Sequence, residues 1–122
     1  MQIPIIKIGN VLLVTLHPDI TDDQAVALKQ EILVRIQKLE CSGLLIDIGV
    51  VDLIDSYMGR VLNEIVEMAR LLGASSVISG MSPQVAIAMV EFGLTFRDVR
   101  TALTVEKGLE WFAESSKTGA KL

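Results

Sequence analysis

Leu44-Leu45-Ile46-Asp47-Ile48, followed by Gly49-Val50-Val51-Asp52 and then by Leu53-Ile54-Asp55-Ser56-Tyr57-Met58-Gly59-Arg60-Val61-Leu62, is the stretch that decides the fold. The first run is nearly continuous in apolar residues, as a central parallel strand covered on more than one side requires. The last run carries apolar residues at helical spacing: Met58, Val61, Leu62, Ile65, Met68, Ala69 and Leu72 line one face, and Arg60, Asn63, Glu64, Glu67 and Arg70 the other. A strand, a short loop and an amphipathic helix therefore follow one another, and the helix begins at Asp55-Ser56. Helix starts carry unpaired N–H groups and partial positive charge. Two readings of Asp55-Ser56 fit that place: one of the two side chains caps the helix, or Ser56 accepts a phosphate that the helix start tolerates. The two are compatible.

Outward from this centre the chain alternates. Ile3-Pro4-Ile5-Ile6-Lys7-Ile8 and Val11 to Leu16 flank Gly9-Asn10, which predicts a hairpin. Pro4 cannot donate a ladder bond, so the first strand lies at an edge or starts at Pro4. Thr21-Asp22-Asp23-Gln24 is a capping box. Ala25, Leu28, Ile32, Leu33, Ile36 and Leu39 extend it into an amphipathic helix that Ser42-Gly43 closes. After Gly73, a further strand is expected from Ser75 to Gly80, and Ser82-Pro83 opens a helix that ends at Gly93. Arg100 to Leu103 reads as a last strand and Thr104 as the cap of a last helix, anchored by Trp111. Strands alternating with helices after an opening hairpin mean an α/β layer fold: a mixed, mostly parallel sheet packed with about four helices. The expected single domain spans residues 1–114, and a polar tail, 115–122, is expected to be disordered.

The 122 residues suffice for one domain and one core. A hydrophobic fraction of 51% excludes a disordered chain. With a formal net charge of -4 and no Lys/Arg block, no nucleic-acid footprint is expected. The lone Cys41 excludes a disulfide framework and reads as a small core hydrophobe. The sequence shows neither a signal peptide nor an apolar run of bilayer length, so a cytoplasmic protein with no membrane partner is expected.

Catalytic motifs are missing. Gly49 and Gly59 are too isolated for a phosphate loop or a dinucleotide fingerprint. Ser56 has Ile54 and Met58 where a nucleophile elbow needs glycines. The lone His17 reads as a loop residue. Asp19, Asp22, Asp47, Asp52 and Asp55 lie at expected loop ends and suit either a divalent cation or helix capping, with capping the simpler account. The expectation is a protein that is not an enzyme, with no cofactor and no metal.

Ile3-Pro4-Ile5, Asp22-Asp23-Gln24-Ala25, Ile54-Asp55-Ser56-Tyr57, Gly80 to Ala86 and Glu91-Phe92-Gly93 resemble, in order and spacing, the STAS domain of anti-sigma-factor antagonists. The resemblance runs from Ile3 to Trp111. Tyr57 and Met58 stand where small residues usually follow the serine, and an aromatic there is similar to the RsbS type, the scaffold of the bacterial stressosome. The resemblance implies a STAS-like single domain and phosphorylation at Ser56. It implies a partner surface formed by Asp52, Asp55, Tyr57 and Met58. The implied partners are an RsbT-type serine kinase held in check, RsbR-type paralogues in a homo- and hetero-oligomeric shell, and an RsbX-type phosphatase that resets the switch. A simple partner switch without a shell, or a nucleotide-binding STAS module, is the alternative.

Overall fold

The computed structural model describes residues 3–94 and 99–118. Strands β1 (Ile5–Ile8) and β2 (Val11–Thr15) form the hairpin. Helix α1 (Asp22–Leu39), β3 (Gly43–Asp47), α2 (Ser56–Leu71), β4 (Ser75–Ser79), α3 (Pro83–Glu91), β5 (Val99–Ala102) and α4 (Val105–Thr118) follow. The sheet order is β1-β2-β3-β4-β5, antiparallel only between the first two. The mixed, mostly parallel sheet expected from the alternation is present, and the register fixes what the sequence left open, the strand order.

Local signals were realised one by one. Gly9 takes φ +60 at the tip of the hairpin. At Thr21 the box closes in both directions: Gln24 N–H donates to Thr21 Oγ1 at 3.2 Å, and Thr21 N–H to Gln24 Oε1 at 3.0 Å. Ser82 Oγ accepts from Val85 N–H, with Pro83 as the first helical residue. Thr104 Oγ1 accepts from Lys107 N–H at 3.1 Å.

β3 is buried on both faces, which explains its unbroken apolar run. Leu44, Ile46 and Ile48 join the large cluster beneath α1, α2 and α3, which includes Ile32, Ile36, Leu62, Ile65 and Val85. Leu45 points the other way and meets Val11, Val77, Leu109, Trp111 and Phe112. Three helices thus cover one face and α4 covers the other. Trp111 is half-buried there, edge-on to Phe112 and 4.9 Å beneath the Arg100 guanidinium.

The structure departs from the sequence expectations in places. Gly43 opens β3 rather than closing α1; Glu40, at φ 53, turns the chain out of the helix. A Cβ on Gly43 would lie 2.6 Å from the Phe112 ring, so glycine is needed there for packing against α4. β4 stops at Ser79, and β5 starts one residue earlier than expected. Leu39, Met68 and Leu72, expected on the buried stripes, are exposed. At 1.5 Å per residue, the 18-residue α1 is about 27 Å long, whereas a five-residue strand such as β3 covers about 17 Å. The helix ends overhang the sheet. α4 continues to Thr118, past the boundary expected at 114, and residues 119–122 lie outside the described ones.

Cys41 is buried, as a core hydrophobe should be, and burial pushes its thiol up from the ordinary value, with Lys7 pulling weakly the other way. At mildly alkaline pH a thiol reagent is expected to label Cys41 only as fast as the protein opens, and urea should accelerate labelling sharply; immediate labelling of the native protein would contradict this burial.

Gly80 sets the height of the sheet's upper rim. It sits at φ +77, and a Cβ there would come 2.7 Å from Gly49 Cα. Both the backbone conformation and the contact demand glycine. Gly80→Ala is expected to lower unfolding free energy by about 2 kcal/mol or more, measured by urea denaturation.

Candidate functional site

The parallel register aligns Thr15, Asp47, Ser79 and Ala102 across the sheet. The loops that follow them lead into the N-termini of α1, α2, α3 and α4, so all four helix starts gather on one rim. Their caps are Thr21, Asp55, Ser82 and Thr104. Three of these use a hydroxyl. The α2 cap uses a carboxylate: Asp55 Oδ1 accepts from Met58 N–H at 2.8 Å.

That division of labour settles the two readings of Asp55-Ser56 as far as capping goes. Asp55 is the cap, and Ser56 is the first residue inside the helix. The Ser56 side chain is exposed, and its hydroxyl finds no hydrogen-bond partner among the described residues. Phosphorylating it would cost the helix no cap. The N–H groups of Ser56 and Tyr57 belong to the first turn, which has no acceptor within the helix. The next two donors are taken, Met58 N–H by the Asp55 carboxylate and Gly59 N–H by the Asp55 carbonyl at 3.0 Å.

Behind Ser56 the helix is held from the core by Met58, Val61, Leu62 and Ile65. Gly59 brings α2 close to the end of α3, since a Cβ there would lie 2.8 Å from Leu94. The loop before Asp55 alternates: Val51 and Ile54 are buried, while Val50, Asp52 and Leu53 are exposed. Val51 N–H donates to Ile48 O at 3.0 Å, and Gly49 rests against Gly80. The backbone that presents Ser56 is therefore anchored on both sides.

Of the residues singled out from the sequence, Asp55, which directly precedes Ser56, and Asp52, in the loop leading to it, are exposed. Tyr57 is half-buried and packs on the core. Met58 sends its side chain into the core, with 9% exposure, so it offers the rim mainly backbone. Asp47 is half-buried and accepts a hydrogen bond from the buried Ser79 hydroxyl at 2.8 Å. His17 is half-buried in the β2–α1 loop. No group of His, Cys, Asp and Glu among the described residues is arranged to hold a metal ion. The aspartates are split between capping α2, bonding Ser79 and facing solvent. The sequence reading missed Leu53 and Leu103, which stand 82% and 86% exposed on this rim. An apolar residue inside an acidic loop, as in Asp52-Leu53, was the available signal. Among the described residues no helix is long and apolar enough to cross a membrane.

Comparison with known proteins places this geometry. An RsbS variant from Moorella thermoacetica is 34% identical, with a TM-score of 0.87 over 96% of this chain and 99% of that one. A chain from a structure of the molecular architecture of the stressosome is 36% identical, with a TM-score of 0.85 over 93% of this chain and 99% of that one. RsbT co-antagonist protein RsbRC of Bacillus subtilis is 30% identical over 105 residues, 86% of this chain but 37% of that protein. This chain spans about a third of the length of the curated relatives it first matches. The family model for the STAS domain matches residues 2–108, and the chain belongs to the STAS domain family.

Proposed function

We propose that this chain is a non-enzymatic antagonist that sequesters a switch serine kinase within a stressosome-type assembly and releases it when Ser56 is phosphorylated. The observation that carries this reading is the exposed Ser56 hydroxyl at the first position of α2, without a hydrogen-bond partner among the described residues, on a rim whose other helix-start hydroxyls are engaged as caps. The similarity to RsbS over nearly the whole of both chains supports the scaffold role. The similarity to a stressosome chain and to an RsbT co-antagonist supports assembly with RsbR-type paralogues and an RsbT-type kinase as the client. A phosphatase of the RsbX type would reset the switch.

The physics of release is electrostatic. A phosphate on Ser56 adds about -1.5 to -2 charges at neutral pH. Asp55 directly before it and Asp52 in the loop that leads to it are already exposed. The α2 dipole offsets about 0.3–1 kcal/mol of that. Like charges brought together at a docked interface cost several kcal/mol, so the penalty falls on the complex. The fold is spared, because α2 is held by its buried side chains and the Asp55 cap, neither of which involves the hydroxyl.

Ser56→Asp is therefore expected to weaken kinase binding at least tenfold while shifting the melting temperature by no more than about 2 °C. A pull-down and a thermal melt read the two halves. Kinase binding equal to wild type, or phosphopeptide mapping that finds another residue modified, contradicts the switch. Asp55→Ala should do the converse to the fold, costing about 1 kcal/mol of stability as the cap is lost. Mixed with an RsbR-type paralogue, the protein is expected to elute from gel filtration in a megadalton peak; a small complex would favour a partner switch without a shell.

A further inference from the structure

We propose that the open border of the sheet at β5 takes up an extended, acidic segment of a partner protein as an added strand, with a carboxylate of that segment set opposite Arg100. The surface involves neither Ser56 nor α2, so it stands or falls apart from the preceding reading. The backbone and the charge of β5 carry it.

The backbone is open on one side. β5 is the outermost strand, paired among the described residues to β4 alone. Gly80 N–H donates to Ala102 O at 3.0 Å, so the main-chain groups of Ala102 point toward β4. Strand alternation turns those of Arg100 the same way, and those of Val99 and Thr101 outward. Among the described residues no group bonds to these outward N–H and C=O groups. At the other border, by contrast, the Arg35 guanidinium sits on the Ile5 carbonyl. An open depression of about 500 Å³ lies beside β5, lined by Ser75, Ser76, Val99, Arg100, Thr101 and Trp111, and gives room for the side chains of a further strand. A row of unpaired main-chain groups is a template for another chain.

Charge decides what that template accepts. An antiparallel strand bonded to both Val99 and Thr101 places its middle residue opposite Arg100, in the pair that exchanges no hydrogen bonds and brings side chains closest. A second copy of β5, docked on the same groups by a two-fold axis, would set Arg100 against Arg100. Like charges directly opposite are destabilising, so the chain's own β5 is a poor occupant. An aspartate or glutamate at the middle position forms an ion pair instead. Arg100 is exposed and unspent: its guanidinium lies 4.9 Å from the centre of the Trp111 ring, and no carboxylate pairs with it among the described residues. Contact with the indole restrains the guanidinium while leaving its N–H donors for an incoming carboxylate.

The test is an NMR titration of the full chain with a capped peptide of alternating threonine and valine around one central glutamate, about seven residues long. The amides of Val99 and Thr101 are expected to shift and to gain protection from hydrogen exchange. The same peptide with a central lysine is expected to bind about tenfold more weakly. Arg100→Glu should reverse that preference. Thr101→Pro should abolish binding and keep the melting temperature, because the N–H it removes faces away from β4. Should Thr101→Pro fail to fold, the reversal in Arg100→Glu still decides. The proposal is overturned if millimolar glutamate peptide leaves Val99 and Thr101 unprotected, or if the two peptides bind alike. It is also overturned if the wild-type chain is a dimer that Thr101→Pro converts to a monomer, which would make a second copy the occupant.

Discussion

The hydrogen bond from Met58 N–H to Asp55 Oδ1 decides where α2 starts, and much of the site depends on it. A carboxylate in the cap position satisfies one of the first-turn donors and complements the helix dipole. It also leaves the neighbouring hydroxyl with no structural duty. Had Ser56 been the cap, as Ser82 is for α3, modifying it would have altered the helix start itself. With the cap one residue upstream, the helix start does not depend on the Ser56 hydroxyl, and the buried Met58, Val61 and Leu62 hold the backbone under it fixed.

The rim that carries Ser56 follows from β3. Because its two faces are both covered, by α1, α2 and α3 on one side and α4 on the other, β3 cannot tilt without disturbing two clusters. Its last residue, Asp47, is tied to Ser79 of the adjacent strand, and the loop beyond is wedged by Gly80. The central strand, the wedge and the cap form one continuous path from the core to Ser56.

Much of this was legible in the residues. Thr21-Asp22-Asp23-Gln24 and Ser82-Pro83 announced helix starts because capping is local chemistry, decided within four residues. The unbroken run Leu44 to Ile48 announced a strand covered on both sides for the same kind of reason. What escaped is non-local. The helical period that placed Leu39, Met68 and Leu72 on buried faces contains no information on how far the sheet extends beneath them. Gly43 resembled a helix stop because its true reason, the Phe112 ring, lies far along the chain. Which of Asp55 and Ser56 caps the helix could be read only from coordinates. The prominence of Leu53 and Leu103 depends on which loops the strand order brings together.

The outer edge of the hairpin is partly closed by a side chain of α1. Thr15 N–H donates to Pro4 O, so the alternation of an antiparallel pair turns the Ile5 carbonyl outward, away from β2. Arg35 of α1 reaches across and occupies it, with Nη1 3.1 Å from the oxygen. Lys7, whose charged side chain disfavours another chain's backbone, is the next outward-facing residue on the strand. One acceptor that a neighbour's strand would need at the β1 border is thus already taken. A neighbour's strand pairing here would have to displace the Arg35 guanidinium, so any contact made at this border with Arg35 in place rests on side chains.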